Sequence, residues 1–148
     1  MTDALSLRPA ADSLDAVERL LAANDLPTAD VRENPGCFYA LFDGDRRVGV
    51  GGIEVHGDAG LLRSVVVPES ARGDGYGADL CTRLEVVAIE AGVDDLYLLT
   101  TTAAAFFAAQ GYATVDRADV PAAIRETTQF ASLCPDSATC MEKSLGSE

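Results

Sequence analysis

The stretch that decides the fold of this chain is Arg63-Ser64-Val65-Val66-Val67-Pro68-Glu69-Ser70-Ala71-Arg72-Gly73-Asp74-Gly75-Tyr76-Gly77. Its β-branched apolar run predicts a strand, its proline marks a turn, and its glycine-rich end opens a helix. Glycines let a backbone approach a phosphate with no Cβ in the way. Because the N–H groups at a helix N-terminus also favour negative charge, the stretch predicts an anion site.

The helix that follows this turn has one apolar face. The pattern predicts a helix from about Gly75 to about Ala91, since apolar residues recur there at intervals of three and four. The residues expected on its buried face are Leu80, Leu84, Val87, Ala88 and Ala91.

Length and composition predict one folded domain over residues 1–148. The chain has 148 residues, of which 48% are hydrophobic, so a substantial core is expected and disorder is not. No apolar run reaches transmembrane length, and no basic segment precedes an apolar one near Met1. These features predict a cytoplasmic protein.

The charge balance is strongly acidic. The chain carries 24 acidic and 11 basic residues, for a formal net charge of −13, and Lys143 is its only lysine. Such a field repels nucleic acids and anionic membranes, so neither is an expected partner. Dispersed acidic residues with so little lysine resemble the surfaces of halophilic proteins, which come from salt-loving organisms.

Cysteine and histidine offer a poor metal signature. The cysteines share no Cys-x-x-Cys pair, and His56 is the only histidine, so no metal site is predicted. Cys134 and Cys140 lie close together in the sequence, which leaves open a disulfide or the capture of a soft metal or metalloid. The other two cysteines are Cys37 and Cys81.

The order of predicted elements is typical of an α/β (α+β) fold with a mixed sheet of about six to seven strands and helices on both faces. Glycines at 49, 51 and 52 lie inside one strand, which indicates a bulge or a close approach to the backbone. Strands are predicted over Leu5–Arg8, Cys37–Phe42, Arg47–His56, Leu61–Val67, Asp95–Thr100, Tyr112–Val115 and Ala138–Lys143. Helices are predicted from Leu14 to about Asn24, over Leu26–Val31, after Gly75, over Ala103–Ala109 and from Pro121 through Arg125.

Two segments in this order carry a resemblance to a known family. Arg72-x-x-Gly75-x-Gly77 follows Val65–Val67, and Ala105–Tyr112 is similar to a later helix-to-strand segment. Together they resemble the GNAT superfamily of acetyl-CoA-dependent N-acyltransferases. The resemblance implies the GNAT fold, acetyl-CoA as co-substrate, and a homodimer. It implies these cofactor-binding residues: Val65, Val66, Val67, Arg72, Gly73, Asp74, Gly75, Tyr76 and Gly77.

A narrower resemblance concerns the acceptor. Leu96–Thr102, Val120–Arg125 and Phe130–Pro135 look like GNAT proteins associated with arsenic-resistance operons, and Leu98–Thr101 also resembles N-acetylglutamate synthases. Both imply transfer of acetyl to the amine of a small amino acid or glutamate-like compound. Detoxification of arsinothricin-like or phosphinothricin-like analogues would fit that class.

Glu54 is the first candidate for the general base, because GNAT enzymes often carry a carboxylate on the strand before the glycine loop. Alternation places Glu54 on one face with His56, which itself is more typical of a surface residue at a hairpin end. The family's usual general acid, a tyrosine in the later helix, is replaced here by Phe107. Tyr112 is the next candidate for that role, and water is the alternative.

Four residues are candidates for binding the acceptor. Arg63 and Arg125 have the planar, bidentate chemistry that recognises a carboxylate, although either could be a salt-bridged surface residue. Thr100 and Thr101 could donate hydrogen bonds to the substrate or cap the helix after them. Two alternatives stay open: acetylation of a protein N-terminus or a polyamine, and a catalytically degenerate module that binds acetyl-CoA or arsenite.

Overall fold

A computed structural model of the chain describes residues 5–23, 28, 35–68, 71, 73, 75–100, 103–126 and 138–145. The strands are β1 Leu5–Pro9, β2 Phe38–Asp43, β3 Arg46–His56, β4 Ala59–Val66, β5 Asp95–Thr100, β6 Ala113–Thr114 and β7 Thr139–Ser144. The α-helices are α1 Leu14–Ala23, α2 Tyr76–Glu90, α3 Ala104–Ala109 and α4 Ala122–Arg125.

The strands form one mixed sheet in the order β1-β2-β3-β4-β5-β7-β6. Strands β4 and β5 pair in parallel, whereas β1 with β2, β2 with β3, β5 with β7, and β6 with β7 pair antiparallel. The predicted fold class, a mixed sheet of about six to seven strands with helices, is confirmed. By its contacts the chain divides into two compact units, Met1–Gly52 with Ser64–Leu84 and Ile53–Arg63 with Glu85–Glu148. The single domain predicted over residues 1–148 stays a prediction.

In the first unit, helices pack on both faces of the strands. Val17 and Leu21, four residues apart on α1, lie in one cluster with Val50 of β3. The alternate residues of β3 are glycines that face α2 instead: a Cβ at Gly51 would lie 2.6 Å from Leu84 Cδ1. Alternate residues of a strand lie on opposite faces. One face of β3 therefore packs side chains against α1, and the other carries glycines, which leave room for α2. The cluster around α1 is completed by Ala10, Phe38, Ala40 and Val66.

The second unit has its own apolar cluster around β4, β5 and β7. Leu61, Tyr97 and Cys140 come from these strands, and Val120 and Ile124 come from the segment of α4. All five are buried. Pro121 is the N-cap of α4, so the helix begins one residue later than the start predicted at Pro121.

Local boundaries differ from the predictions where tertiary packing overrides local pattern. Ala91 was expected on the buried face of α2, but the helix ends at Glu90 and Ala91 is exposed. Gly92, with a φ of 93°, has the left-handed conformation that commonly follows the end of a helix. Strand β6 keeps only Ala113–Thr114 of its predicted four residues, because only these two pair with β7. The short helix predicted over Leu26–Val31 lies outside the described residues, Thr28 excepted.

Candidate active site

As predicted, the glycine turn after β4 leads into a helix, α2, which begins at Tyr76. Ala71 N donates to Pro68 O at 2.9 Å, closing a turn. Gly73 and Gly75 have φ values of 94° and 82°, in the left-handed region that favours glycine. The first intrahelical bond of α2 runs from Asp79 N to Gly75 O at 3.2 Å, so the N–H groups of the first turn point out of the helix end. This end of α2 suits a phosphate group.

A hydrogen bond fastens the start of α2 to the neighbouring hairpin. Tyr76, the first residue of the helix, donates its hydroxyl to Asp43 Oδ2 at 2.5 Å. Asp43 is the last residue of β2, next to the turn at Gly44. The contact ties the helix end to the sheet, and the sequence carried no signal for it because the two residues lie 33 positions apart.

The valines before the turn contribute packing through their side chains. Val66 is buried, and Val65 Cγ2 would lie 3.4 Å from a Cβ at Gly51. What β4 offers a ligand is therefore its backbone. Ser64 has a φ of 59°, the only positive value at a described residue other than glycine. A left-handed residue inside a strand interrupts the ladder and redirects the chain, and no pattern in the sequence predicted it.

The second unit holds a row of three polar side chains. Arg63 Nη1 donates to Glu54 Oε2 at 2.8 Å, and His56 Nε2 lies 3.2 Å from Glu54 Oε1. Glu54 and Arg63 are buried, with 7% and 3% of their surface exposed. Alternation correctly put Glu54 and His56 on one face, but the partnership with Arg63 depends on how β3 and β4 align. The structure thus brings together a candidate base and a candidate acceptor-binding residue.

The other acceptor candidates that the structure describes make contacts of their own. Thr100 Oγ1 accepts a hydrogen bond from Ala103 N at 3.0 Å, just before α3, so its oxygen supports the local turn. Arg125 is exposed, and its Nε donates to Val120 O at 2.9 Å. Thr101, Arg72 and Asp74 lie outside the described residues.

Tyr112, the candidate acid, is built into a polar cluster. Its hydroxyl donates to Glu85 Oε2 at 3.0 Å, while Lys143 Nζ donates to Glu85 Oε1 and to Gln110 O, both at 2.9 Å. Tyr112 is buried, and its ring meets Phe107 edge to face at 5.8 Å. The single carboxylate of Glu85 on α2 therefore contacts both Tyr112, just before β6, and Lys143 of β7, and the hydroxyl proton of Tyr112 is directed at it.

Cys140 is a buried thiol. Burial raises its pKa to about 11, so it is protonated at neutral pH. The thiolate is the form that binds metals, so this environment does not favour capture of a soft metal by Cys140. Cys134 lies outside the described residues.

The family model for GNAT acetyltransferases matches residues 5–112, which is more than half of the chain. The chain belongs to the GNAT acetyltransferase family. Membership confirms the predicted GNAT fold and agrees with the predictions of an acyltransferase and of acetyl-CoA as co-substrate. No curated protein matched the chain in sequence.

Solved structures of other proteins share the fold at low sequence identity. An N-acetylglutamate synthase from Neisseria gonorrhoeae, complexed with coenzyme A and L-arginine, superposes with a TM-score of 0.83 at 18% identity. The match covers 99% of this chain and 34% of that one, so this chain spans about a third of the synthase. The Rv2747 protein from Mycobacterium tuberculosis, in complex with CoA, matches with a TM-score of 0.78 at 21% identity and covers 94% of this chain and 98% of that one.

A GNAT-family acetyltransferase from Staphylococcus aureus matches with a TM-score of 0.70 at 17% identity, over 97% of this chain and 100% of that one. At these identities the likeness concerns the fold alone. In the part of this GNAT chain that the structure describes, no helix is long and apolar enough to cross a membrane.

Proposed function

We propose that this protein is an acetyl-CoA-dependent N-acetyltransferase whose acceptor is a small amino acid or a glutamate-like compound. The observation that carries the choice of acceptor is the setting of Arg125. The residue is exposed at the end of α4, and the bond from its Nε to Val120 O fixes the plane of its guanidinium. An oriented, accessible guanidinium suits a carboxylate, which it can bind bidentately.

The turn at the start of α2 would hold the pyrophosphate of acetyl-CoA. A Cβ added at Gly73 or Gly75 meets nothing within 4 Å, so the space over this backbone is open to a ligand. The backbone of Val65, Val66 and Val67 would pair with the pantetheine arm, and the amides around Tyr76 and Gly77 would face the phosphates. Arg72 and Asp74 belong to the same proposed site.

Glu54 is the proposed general base. A carboxylate offers about four acceptor positions on its two oxygens. Arg63 uses Oε2, so Oε1 keeps room for the acceptor amine or an intervening water beside His56. Arg63, whose side chain is 0% exposed, is better suited to hold Glu54 than to bind the acceptor directly.

The other assignments follow from the local geometry. Thr100 and Thr101 stay candidates for hydrogen bonds to the acceptor, since a hydroxyl that accepts one bond can still donate another. Tyr112 stays the sequence's candidate acid, but its proton is directed at Glu85. Protonation of the leaving thiolate by water agrees better with this arrangement. By resemblance, the proposal also includes that the protein is a cytoplasmic homodimer, that it comes from a halophile and that it is associated with arsenic resistance.

The test is release of the coenzyme A thiol from acetyl-CoA, measured at high salt across amino acids, phosphorus- and arsenic-containing glutamate analogues, and polyamines. We expect turnover with an amino acid that carries a free carboxylate and a several-fold lower rate with its amide. Binding of acetyl-CoA without thiol release from any amine would contradict the proposal and favour a sensor.

Arg125→Ala supplies the matching variant. We expect the KM for the amino acid to rise by about tenfold or more, because a charged hydrogen bond contributes roughly 1.5–3 kcal/mol. The KM for acetyl-CoA should not change. Arg19→Ala, which removes an exposed arginine from α1, is the control for net charge.

A polyamine acceptor is the second candidate, and the net charge of −13 favours it, since an acidic surface attracts cations. Rates that are highest with spermidine and fall steeply with salt would select this alternative.

A further inference from the structure

The row formed by Arg63, Glu54 and His56 runs from the interior to solvent. Their side chains are 0%, 9% and 31% exposed, respectively. Each carboxylate oxygen of Glu54 has its own partner: Oε2 contacts Arg63 Nη1 and Oε1 contacts His56 Nε2. One oxygen of the buried Glu54 carboxylate is therefore held by Arg63, and the other contacts a side chain that reaches solvent.

Arg63 holds the inner carboxylate oxygen of Glu54, Oε2. A buried guanidinium is costly unless it is paired and hydrogen-bonded, and Glu54 supplies the pair at 2.8 Å. Because arginine stays protonated in proteins, it cannot itself accept a proton from Glu54. It can only hold the carboxylate in place, which makes it a positioning residue.

His56 connects the other carboxylate oxygen of Glu54, Oε1, to solvent. Imidazole is the side chain best suited to taking up and releasing protons near neutral pH, and it can do so at two separate nitrogens. Nε2 faces Glu54 Oε1, and the side chain is about one-third exposed, so the ring can exchange protons with water. Glu54, on the same strand, contacts His56 directly, and Arg63 on β4 is linked to it through Glu54.

We propose that His56 carries to solvent the proton that Glu54 takes from the acceptor ammonium, while Arg63 positions Glu54 for both steps. This inference rests on the proposed function. An N–H bond of the ammonium breaks as an O–H bond forms at Oε1, directly or through one water. That proton passes to Nε2, and the imidazolium gives the proton on Nδ1 to water. Exchange with solvent restores the starting tautomer, and Glu54 is again ionised.

His56→Gln tests the relay. Glutamine keeps an N–H donor for Oε1 but cannot take up a proton, so a purely structural role would survive the change. We expect kcat to fall by about a hundredfold, which is the lower end of the contribution of a positioned proton-transfer group. Added imidazole should restore part of the activity in proportion to its concentration. The control is Val55→Thr, an exposed neighbour on β3, which should keep the wild-type kcat.

Two results would overturn the relay while acetyl transfer by the wild type stands: an unchanged kcat in His56→Gln, or a lowered kcat that imidazole does not raise. His56→Asn gives the same comparison if His56→Gln does not fold, as judged by its melting curve.

Failure of the proposed function has a different signature. If the wild type releases no thiol with any amine, the acetyltransferase proposal fails and the relay fails with it. A nitrogen-15 NMR spectrum of the single histidine then reports on the row itself. A dominant Nδ1–H tautomer, which leaves Nε2 free to take up the proton from Glu54, supports the relay, and a dominant Nε2–H tautomer contradicts it.

Discussion

At the scale of single residues, Tyr97 is the clearest case of a neighbourhood changing an ionisation. Burial, followed by the charge of Glu142 directly across the β5–β7 pair and a hydrogen bond to it, raises the pKa of Tyr97 from 10.0 to about 12. The fold therefore favours the neutral phenol. Its contribution to stability is fully present below pH 10 and is lost as the pH rises towards 12.

We therefore expect the free energy of unfolding to fall between pH 10 and pH 12, and to fall less steeply in Tyr97→Phe. Urea unfolding at several pH values in this window measures both slopes. Since the chain has 4 tyrosines, the difference between wild type and variant isolates Tyr97. Equal slopes would contradict the prediction.

Tyr112→Phe separates a scaffolding role from an acid role. Removing the hydroxyl leaves Glu85 with Lys143 as its partner, so we expect unfolding free energy to drop by about 1–2 kcal/mol. We expect kcat to be unchanged. Thermal melts and the thiol-release assay measure the two effects. A fall in kcat of about a hundredfold would instead assign Tyr112 as the general acid.

At the scale of elements, the start of α2 depends on the bond between Tyr76 and Asp43. Tyr76→Phe removes this hydrogen bond between the first residue of α2 and the last residue of β2. We expect the KM for acetyl-CoA to rise by roughly two- to tenfold, since one hydrogen bond contributes about 0.5–1.5 kcal/mol. The kcat should stay the same. Tyr39→Phe, on the same strand as Asp43, is the matched control, and an equal effect in both variants would refute the assignment.

The glycines of β3 set how closely α2 packs. In Gly51→Ala the new Cβ would lie 2.6 Å from Leu84 Cδ1, and Leu84 is fully buried, so the helix or the side chain must shift. We expect a loss of about 1–3 kcal/mol in a urea titration, as for other overpacked cores. Gly36→Ala meets nothing within 4 Å and should have little effect.

At the scale of the whole molecule, the net charge of −13 is a source of self-repulsion. Salt screens such repulsion over a Debye length of about 10 Å at 0.1 M and about 3 Å at 1 M. We expect the melting temperature to rise from low salt to molar KCl. Scanning calorimetry at a series of KCl concentrations measures this, and a flat or falling series would contradict it.

Much of the fold was predictable, and the reasons are local. The strand before the turn, the glycines at 73 and 75, and the alternation that aligns Glu54 with His56 follow from residue periodicity and backbone freedom. The pairing of Glu54 with Arg63 and of Tyr112 with Glu85 was not predictable. These contacts join residues 9 and 27 positions apart, and no local pattern specifies strand alignment or helix placement at that range.

The sequence by itself determined that a β-branched strand leads through a glycine turn into an amphipathic helix, since sterics, missing donors and periodicity act within a few residues. Only the tertiary structure decided what the polar side chains do. The Arg63 side chain is 0% exposed, so it holds Glu54 in place. The Tyr112 hydroxyl is hydrogen-bonded to Glu85. The physical reason is that desolvation and hydrogen-bond partnership depend on neighbours that the chain supplies only once it is folded.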